Sequence, residues 1–194
     1  MISRTDTSAQ HPARLTPGDR VTVARAGLGV VVAVLVALTL AGVLPPRSWL
    51  LVGVLVPTLL LDAVDGLVAR RTHTVTARGA RWDMEVDSAI VFVTSLAVVP
   101  IAPWALAIGL ARYAFGLGSF FRPAWRAPLP YSRGRRRIAA LQAVALATAL
   151  VPLTPIWLAQ AVTALALALL IFSFTRDVLF LERRWRGSPG RVSR

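Results

Sequence analysis

Long apolar runs separated by short polar segments dominate the chain from residue 21 onward. The runs are comparable in length to the roughly 20 residues that an α-helix needs to cross a bilayer core. The pattern therefore predicts six membrane-spanning helices, at about 21–44, 49–70, 82–99, 104–121, 138–153 and 155–181. Residues 1–20 are polar and include Pro12 and Pro17, which indicates a short cytoplasmic or interfacial segment before the first span.

The expected fold class is all-α, an integral membrane bundle of six transmembrane helices preceded by that N-terminal interfacial segment. The membrane domain would cover 21–182, and a basic cytoplasmic tail would follow at 183–194. Hydrophobic residues make up 56% of the chain, which is more than soluble globular domains contain. Cysteine is absent, which excludes disulfides, thiolate nucleophiles and zinc–thiolate sites.

The charge of the chain indicates its orientation. All 22 basic residues are arginine, and the formal net charge is +13. Arginines occupy the N-terminal segment, the 70–81 connection, the 122–137 segment and the tail, whereas the other connections hold only Arg47. The positive-inside rule then predicts a multi-pass plasma-membrane protein with both termini in the cytoplasm. Nucleic acid is not indicated, because no binding motif accompanies the charge. We interpret the arginines as a topology signal and as groups that could contact lipid headgroups or bind substrate.

Carboxylates are concentrated between the second and third predicted spans. Five of the nine acidic residues fall within 62–87. Asp62 and Asp65 share one helical face, and so do Asp83 and Asp87, so two adjacent helices could direct four carboxylates at one point. Such a cluster needs shared protons or hard cations, namely Mg²⁺, Mn²⁺ or Ca²⁺. Charge at this depth is costly, which favours a functional site; the structural alternative is a buried aspartate–arginine pair that only holds helices together.

Other residues near this cluster suggest narrower roles. Glu85 lies on a different helical face from the aspartates and is expected at the surface or interface. Gly79 is available for a tight turn in the 71–82 connection or for the close approach of a ligand. Gly27 and Gly29 in the first span favour close helix packing over the alternative of a phosphate-binding loop.

Three arginines are candidate contacts for the acceptor. Arg112 lies in the middle of the fourth span, where a buried arginine needs an aspartate or an anionic ligand as its partner. Arg122 and Arg135 belong to the basic segment that follows, and they could help to bind a phosphate. The alternative explanation for the arginines of that segment is that they set the membrane topology and contact anionic lipids.

The acidic stretch resembles the signature of the CDP-alcohol phosphotransferase family at every position. It runs Asp62-x-x-Asp65-Gly66-x-x-Ala69-Arg70, then eight residues, then Gly79-x-x-x-Asp83-x-x-x-Asp87. Thr22 and Arg25 are similar to a Thr-x-x-Arg pair that often precedes the family's first span. The resemblance implies transfer of a phosphatidyl group from a CDP-alcohol, usually CDP-diacylglycerol in bacteria, to an acceptor hydroxyl with release of CMP in phospholipid biosynthesis.

The resemblance also implies a role for each signature residue, and a homodimer. Two divalent ions, Mg²⁺ or Mn²⁺, would be held by Asp62, Asp65, Asp83 and Asp87. Asp87 would also take the proton from the incoming hydroxyl. CDP would contact Asp62, Gly66, Ala69, Arg70, Gly79 and Asp83.

The acceptor alcohol suggested by the arginines is glycerol 3-phosphate or inositol phosphate. The chain has Gly134-Arg-Arg-Arg-Ile138 where glycerophosphate enzymes often show Gly-Lys-x-Lys-Thr. This difference counts against glycerol 3-phosphate, because a guanidinium does not replace an ammonium and the threonine hydroxyl is lost.

A second class of function is an ion- or proton-coupled transporter, since buried carboxylates and an arginine also mark transport pathways. The aspartates cluster at one mouth of the predicted bundle rather than at its midplane. Inverted repeats with broken helices are not evident in the sequence. Both points favour the enzyme over the transporter.

Overall fold

The structure, a computed structural model, describes the backbone of residues 17–72, 77–126 and 132–186, and the side chains of 24–61, 84–122, 124–125, 132 and 134–185. Helices, and no strands, form the described backbone, as the sequence predicted. The α-helices are α1 Pro17–Leu40, α2 Trp49–Thr72, α3 Ala77–Val98, α4 Ala105–Phe121, α5 Arg133–Leu150 and α6 Ile156–Arg186, with a 3-10 helix at Pro123–Arg126.

Helix α3 lies at the centre of the bundle and packs against α1, α4 and α5. Helix α2 packs against α1 and α5, while α6 packs against α4 and α5. Arg47 joins two turns at one end of the bundle, because its Nη2 donates to the carbonyls of Val151 and Thr154. The buried apolar core includes Val32, Val36, Leu51, Leu55, Ala97, Val98, Leu146 and Leu150. The opposite end, where α2 ends and α3 begins, carries the acidic signature.

The first helix ends earlier than the sequence predicted. Helix α1 stops at Leu40 rather than near residue 44. Gly42 adopts a left-handed φ of 76°, and the amide of Val43 donates to the Leu38 carbonyl at 2.9 Å. A left-handed glycine just after the last turn is a common way to end a helix. The apolar residues at 41–44 therefore belong to a turn.

Two segments that were expected to be connections are partly helical. Helix α2 continues to Thr72 and α3 starts at Ala77, so Gly79 lies in the first turn of a helix and the expected tight turn is wrong. Arg135 and its neighbours likewise lie in α5, whose predicted start was residue 138. Ser132 caps α5 by accepting the Arg135 amide at 3.4 Å. Arginine is a good helix former, which explains both extensions.

One described helix segment, Ile156–Trp185, is long and apolar enough to cross a membrane. Shorter apolar segments occupy Ala24–Leu40, Trp49–Leu61 and Ala105–Phe121. Large apolar side chains such as Phe120 and Trp157 are exposed on the surface of the bundle, as contact with lipid would require. The arrangement of six complete spans stays a prediction.

Candidate active site

An ion pair between α1 and α3 lies within the candidate site. Arg25 Nη2 is 3.2 Å from Asp87 Oδ1. Arg25 is 0% exposed, whereas 41% of the Asp87 side chain is exposed. A buried guanidinium keeps its charge and requires a partner. The aspartate–arginine pair considered as a structural alternative therefore exists, but its carboxylate remains accessible from outside the bundle.

Close packing between α1 and α3 supports this ion pair. A Cβ atom on Gly29 would lie 3.3 Å from Ile90 Cγ1, so the two helices approach tightly there. Gly29 and Ile90 each lie about one helical turn beyond the members of the ion pair. The packing role expected of Gly29 is confirmed, whereas a Cβ atom on Gly27 would meet no described atom within 4 Å. The absence of a side chain at Gly29 thus permits the close spacing of the two helices that Arg25 bridges.

The remaining signature residues other than Gly79 lie on the helices that the sequence predicted, whereas Gly79 was expected in the connection and lies in the first turn of α3. Helix α2 carries one pair of aspartates a turn apart, and α3 carries the other pair. Helices α1 and α5 both pack against α2 and α3. The structure does not describe the side chains of the remaining signature residues, which are Asp62, Asp65, Gly66, Ala69, Arg70, Gly79 and Asp83. Convergence of the four carboxylates therefore stays a prediction.

A second ion pair joins α3 to α4. Arg112 Nη2 lies 2.6 Å from Glu85 Oε1, and 38% of the Arg112 side chain is exposed. The expectation that Arg112 is buried is wrong, because its long side chain leaves the α3–α4 contact and meets Glu85 at the surface. Glu85 is largely exposed, as predicted. A pair this exposed contributes little to stability, about 0–1 kcal/mol.

The other two acceptor candidates lie farther along the chain. Arg135, in the first turn of α5, is 3.3 Å from the largely buried carboxylate of Asp177 on α6. Arg122 ends α4, where its amide donates to the Gly118 carbonyl at 2.9 Å, and its side chain is exposed. Two of the three candidate arginines thus have carboxylate partners in the structure.

An aromatic cluster holds the 3-10 helix between α4 and α6. The rings of Trp125 and Phe115 stack at 5.6 Å between centroids, and Phe115 meets Phe174 edge to face. Trp125 Nε1 donates to Glu182 Oε1 at 3.1 Å. A Cβ atom on Gly118 would lie 2.3 Å from the Trp125 ring, so only glycine leaves room for it. This cluster fixes the 3-10 helix that follows α4 against the side of α6.

The sequence analysis missed Asp177 and Glu182, which tether this region to α6. A signal was present, since few acidic residues occur in this basic chain and each has many arginines available as partners. The partner of each could not be read from the sequence, because it depends on how α6 is rotated against α4 and α5.

The chemistry of the candidate ligands fits a divalent cation. Mg²⁺ and Mn²⁺ prefer oxygen ligands, and the four signature residues offer only carboxylates. Asp87, the member whose side chain is described, is accessible to an ion. Among the side chains that the structure describes, no three potential ligands form a group. The four signature aspartates suit Mg²⁺ or Mn²⁺ because they supply carboxylate oxygens and because Asp87 is accessible.

Comparison with known proteins adds an independent finding. The model of the CDP-alcohol phosphatidyltransferase family matches residues 16–172, which include the whole acidic signature and the first five α-helices. No curated protein and no solved structure gave a match. The family consists of membrane-associated phosphotransferases of phospholipid biosynthesis that use divalent metals. The match covers most of the chain, and the protein belongs to the CDP-alcohol phosphatidyltransferase family.

Proposed function

We propose that the protein transfers the phosphatidyl group of CDP-diacylglycerol to the hydroxyl of a small alcohol and releases CMP at the cytoplasmic face of the plasma membrane. The observation that carries this proposal is the complete aspartate signature, whose last member, Asp87, is an accessible carboxylate held by Arg25. The family match supports transfer from a CDP-alcohol, and no observation favours the transporter.

The four aspartates are the proposed ligands of two divalent ions, Mg²⁺ or Mn²⁺. When bound, such ions neutralise the diphosphate of the donor and stabilise the charge on the leaving CMP. Asp62, Asp65 and Asp83 would serve as ligands alone. Asp87 would also act on the acceptor hydroxyl, because it pairs with Arg25 on one side and is exposed to solvent on the other.

Asp87 is the proposed general base. It accepts the proton of the acceptor hydroxyl while that oxygen forms a bond to the phosphorus of the phosphatidyl group. The bond from this phosphorus to the bridging oxygen breaks, and its electron pair leaves with CMP. The exposure of Asp87 supports this step, since a water-soluble acceptor must reach the carboxylate.

The donor would bind across α2 and the start of α3. Gly66, Ala69 and Gly79 are small, which would let the nucleotide lie against the helix backbones. Arg70 would bind a donor phosphate through its guanidinium fork. The acyl chains would remain in lipid, in keeping with the exposed apolar surface of the described helices.

The proposed acceptor carries a phosphate of its own, as glycerol 3-phosphate and inositol phosphate do. Arg112, Arg122 and Arg135 are the candidate contacts. The pair of Arg112 with Glu85 is exposed, so exchanging this carboxylate for an acceptor phosphate costs little. Arg122 is exposed at the end of α4, where it is accessible to a soluble anion.

Release of CMP tests the proposal. Purified protein with CDP-diacylglycerol and Mn²⁺ should release CMP when glycerol 3-phosphate or inositol phosphate is added, and mass spectrometry should identify the lipid product. Asp87→Asn should lower kcat at least about 100-fold, because removing a general base typically costs 10²–10⁴.

Glu182→Gln is the matched control for this experiment. It also neutralises one carboxylate, but the amide oxygen can still accept from Trp125 Nε1. Its activity should stay within about twofold of the unsubstituted protein, since Glu182 takes no part in the proposed chemistry. Folded protein that releases no CMP with any alcohol, or full activity in Asp87→Asn, would contradict the proposal.

A further inference from the structure

We propose that Arg25 is the positioning residue of the active site and sets the orientation of the Asp87 carboxylate. Arg25 lies on α1, outside the four-aspartate signature. The inference rests on the proposed role of Asp87. It adds a residue that acts on the reaction without contacting either substrate.

The burial of Arg25 determines how it can act. Its side chain is enclosed, and it is the largest fully buried side chain among the described residues. A soluble acceptor or a nucleotide cannot reach an enclosed guanidinium without opening the bundle. Any effect of Arg25 on the reaction is therefore transmitted through the groups that it touches, and among these Asp87 is the proposed reactive residue.

The geometry of the pair gives Asp87 two different environments. Oδ1 lies 3.2 Å from a guanidinium on the buried side, while much of the side chain is exposed. An aspartate on a helix surface can adopt several rotamers, and a fixed cation on one side favours the rotamer that faces it. Partners that orient a catalytic or metal-binding carboxylate commonly change affinity or activity 10–100-fold when they are replaced.

Close packing of α1 against α3 holds the backbone near Arg25 in place. Gly29 lies against Ile90 one turn away, and Ile90 is buried. Helices α1 and α3 therefore pack closely at this level, which limits any shift of α1 toward α3. Such a shift would not fully compensate for a shorter side chain at position 25.

Arg47 offers a matched comparison within the same chain. It also bridges elements that are distant in sequence, but its described partners are the backbone carbonyls of Val151 and Thr154. It lies at the end of the bundle opposite the acidic signature. Replacing Arg47 should therefore affect folding alone, whereas replacing Arg25 should affect folding and the state of Asp87.

The experiment compares Arg25→Lys, Arg25→Gln and Arg47→Lys in the full chain, reconstituted in lipid nanodiscs. Thermal unfolding reports folding, steady-state kinetics separate kcat from the KM for CDP-diacylglycerol, and electron paramagnetic resonance measures Mn²⁺ binding without turnover. We expect Arg25→Lys to fold, because an ammonium can still neutralise the carboxylate. Its kcat should fall about 10-fold and that of Arg25→Gln about 100-fold, with Mn²⁺ affinity reduced about 10-fold in both and little change in KM.

Two results would overturn the inference. One is a variant of Arg25 with lowered thermal stability but unchanged kcat and Mn²⁺ affinity, since that is the behaviour expected of Arg47→Lys. The other is equal loss of kcat in Arg47→Lys. If Arg25→Gln does not fold, Arg25→Lys decides alone. If the unsubstituted protein releases no CMP, the proposed function fails, and Mn²⁺ affinity still tests the action of Arg25 on Asp87.

Discussion

Gly109 on α4 lies directly against the backbone of α3. A Cβ atom there would be 2.2 Å from Ser95 Oγ and 2.9 Å from Phe92 Cα. Ser95 Oγ donates to the Phe92 carbonyl at 2.7 Å, so turning it away would break a hydrogen bond in the interior of the bundle. The absence of a side chain at this position lets α3 and α4 pack together below the Arg112–Glu85 pair.

Replacing Gly109 should therefore destabilise the bundle even though alanine is the better helix former. We expect Gly109→Ala to lower the free energy of unfolding by about 1–3 kcal/mol, as overpacked cores do. Gly116→Ala is the control on the same helix, because a Cβ there has no neighbour within 4 Å. It should stabilise by about 0.5–1 kcal/mol. Thermal unfolding in detergent checks both, and shifts of the same sign would refute this account of the packing.

The sequence predicted the acidic residues of the site better than their partners. A spacing of three or four residues places two aspartates on one helical face whatever surrounds the helix. The partner of each charge depends instead on how neighbouring helices are rotated, and a chain with many arginines leaves the choice open. Arg25 was noted only as a member of a Thr-x-x-Arg pair, and Arg112 was expected to be buried; the structure pairs them with Asp87 and Glu85.

At the scale of elements, the 3-10 helix that follows α4 is held against α4 and α6. Trp125 is the residue that secures it, through Phe115 on α4 and Glu182 on α6. Arg122 directly precedes this helix, and its carbonyl accepts the Trp125 amide at 3.0 Å. The one-turn element is thus bonded to the backbone of a candidate acceptor residue.

Trp125→Ala should loosen this element without unfolding the rest of the bundle. We expect a loss of about 2 kcal/mol, less than for a fully buried tryptophan, because Trp125 is only half-buried. Hydrogen exchange of the amides in the 3-10 helix should accelerate, while the amides of α1 and α3 stay protected. Trp157→Ala, at an exposed position on α6, is the control and should leave all these rates unchanged. Uniform acceleration across the bundle would contradict a local role.

Helices were predictable as elements because each apolar run is long, whereas their ends were not. The end of α1 is set by the left-handed Gly42, and the start of α5 is set by the Ser132 cap. The prediction followed hydropathy instead of these local signals. The apolar run of α1 continues past Leu40, and the apolar run of α5 begins only at Ile138. Arginines at the ends of α2 and α5 extended these helices, since a polar residue can end a membrane span without ending a helix.

At the scale of the whole molecule, the two ends of the bundle differ in chemistry. At one end, Arg47 joins the α1–α2 turn to the α5–α6 turn. It is the one arginine of the predicted external connections. The other end holds the ion pairs of Arg25 and Arg135 and the acidic signature. We propose that the first end faces outward and the second faces the cytoplasm.

The lack of cysteine makes this orientation easy to test. Val43→Cys places a thiol on the exposed turn after α1, and Ser188→Cys places one in the basic tail. A membrane-impermeant maleimide should label the first variant in intact cells and the second only after permeabilisation. The unsubstituted chain provides the background, because it has no thiol to react. The reverse labelling pattern would place the active site on the outer face.

The enclosed guanidinium of Arg25 has a consequence for biogenesis. Its acidic partner is synthesised two helices later, so α1 leaves the ribosome with a cation whose counter-ion does not yet exist. We therefore expect α1 to be held stably in the bundle only after α3 has been synthesised. A truncation after α2 should accordingly be degraded faster than one after α3, as pulse-chase labelling would reveal.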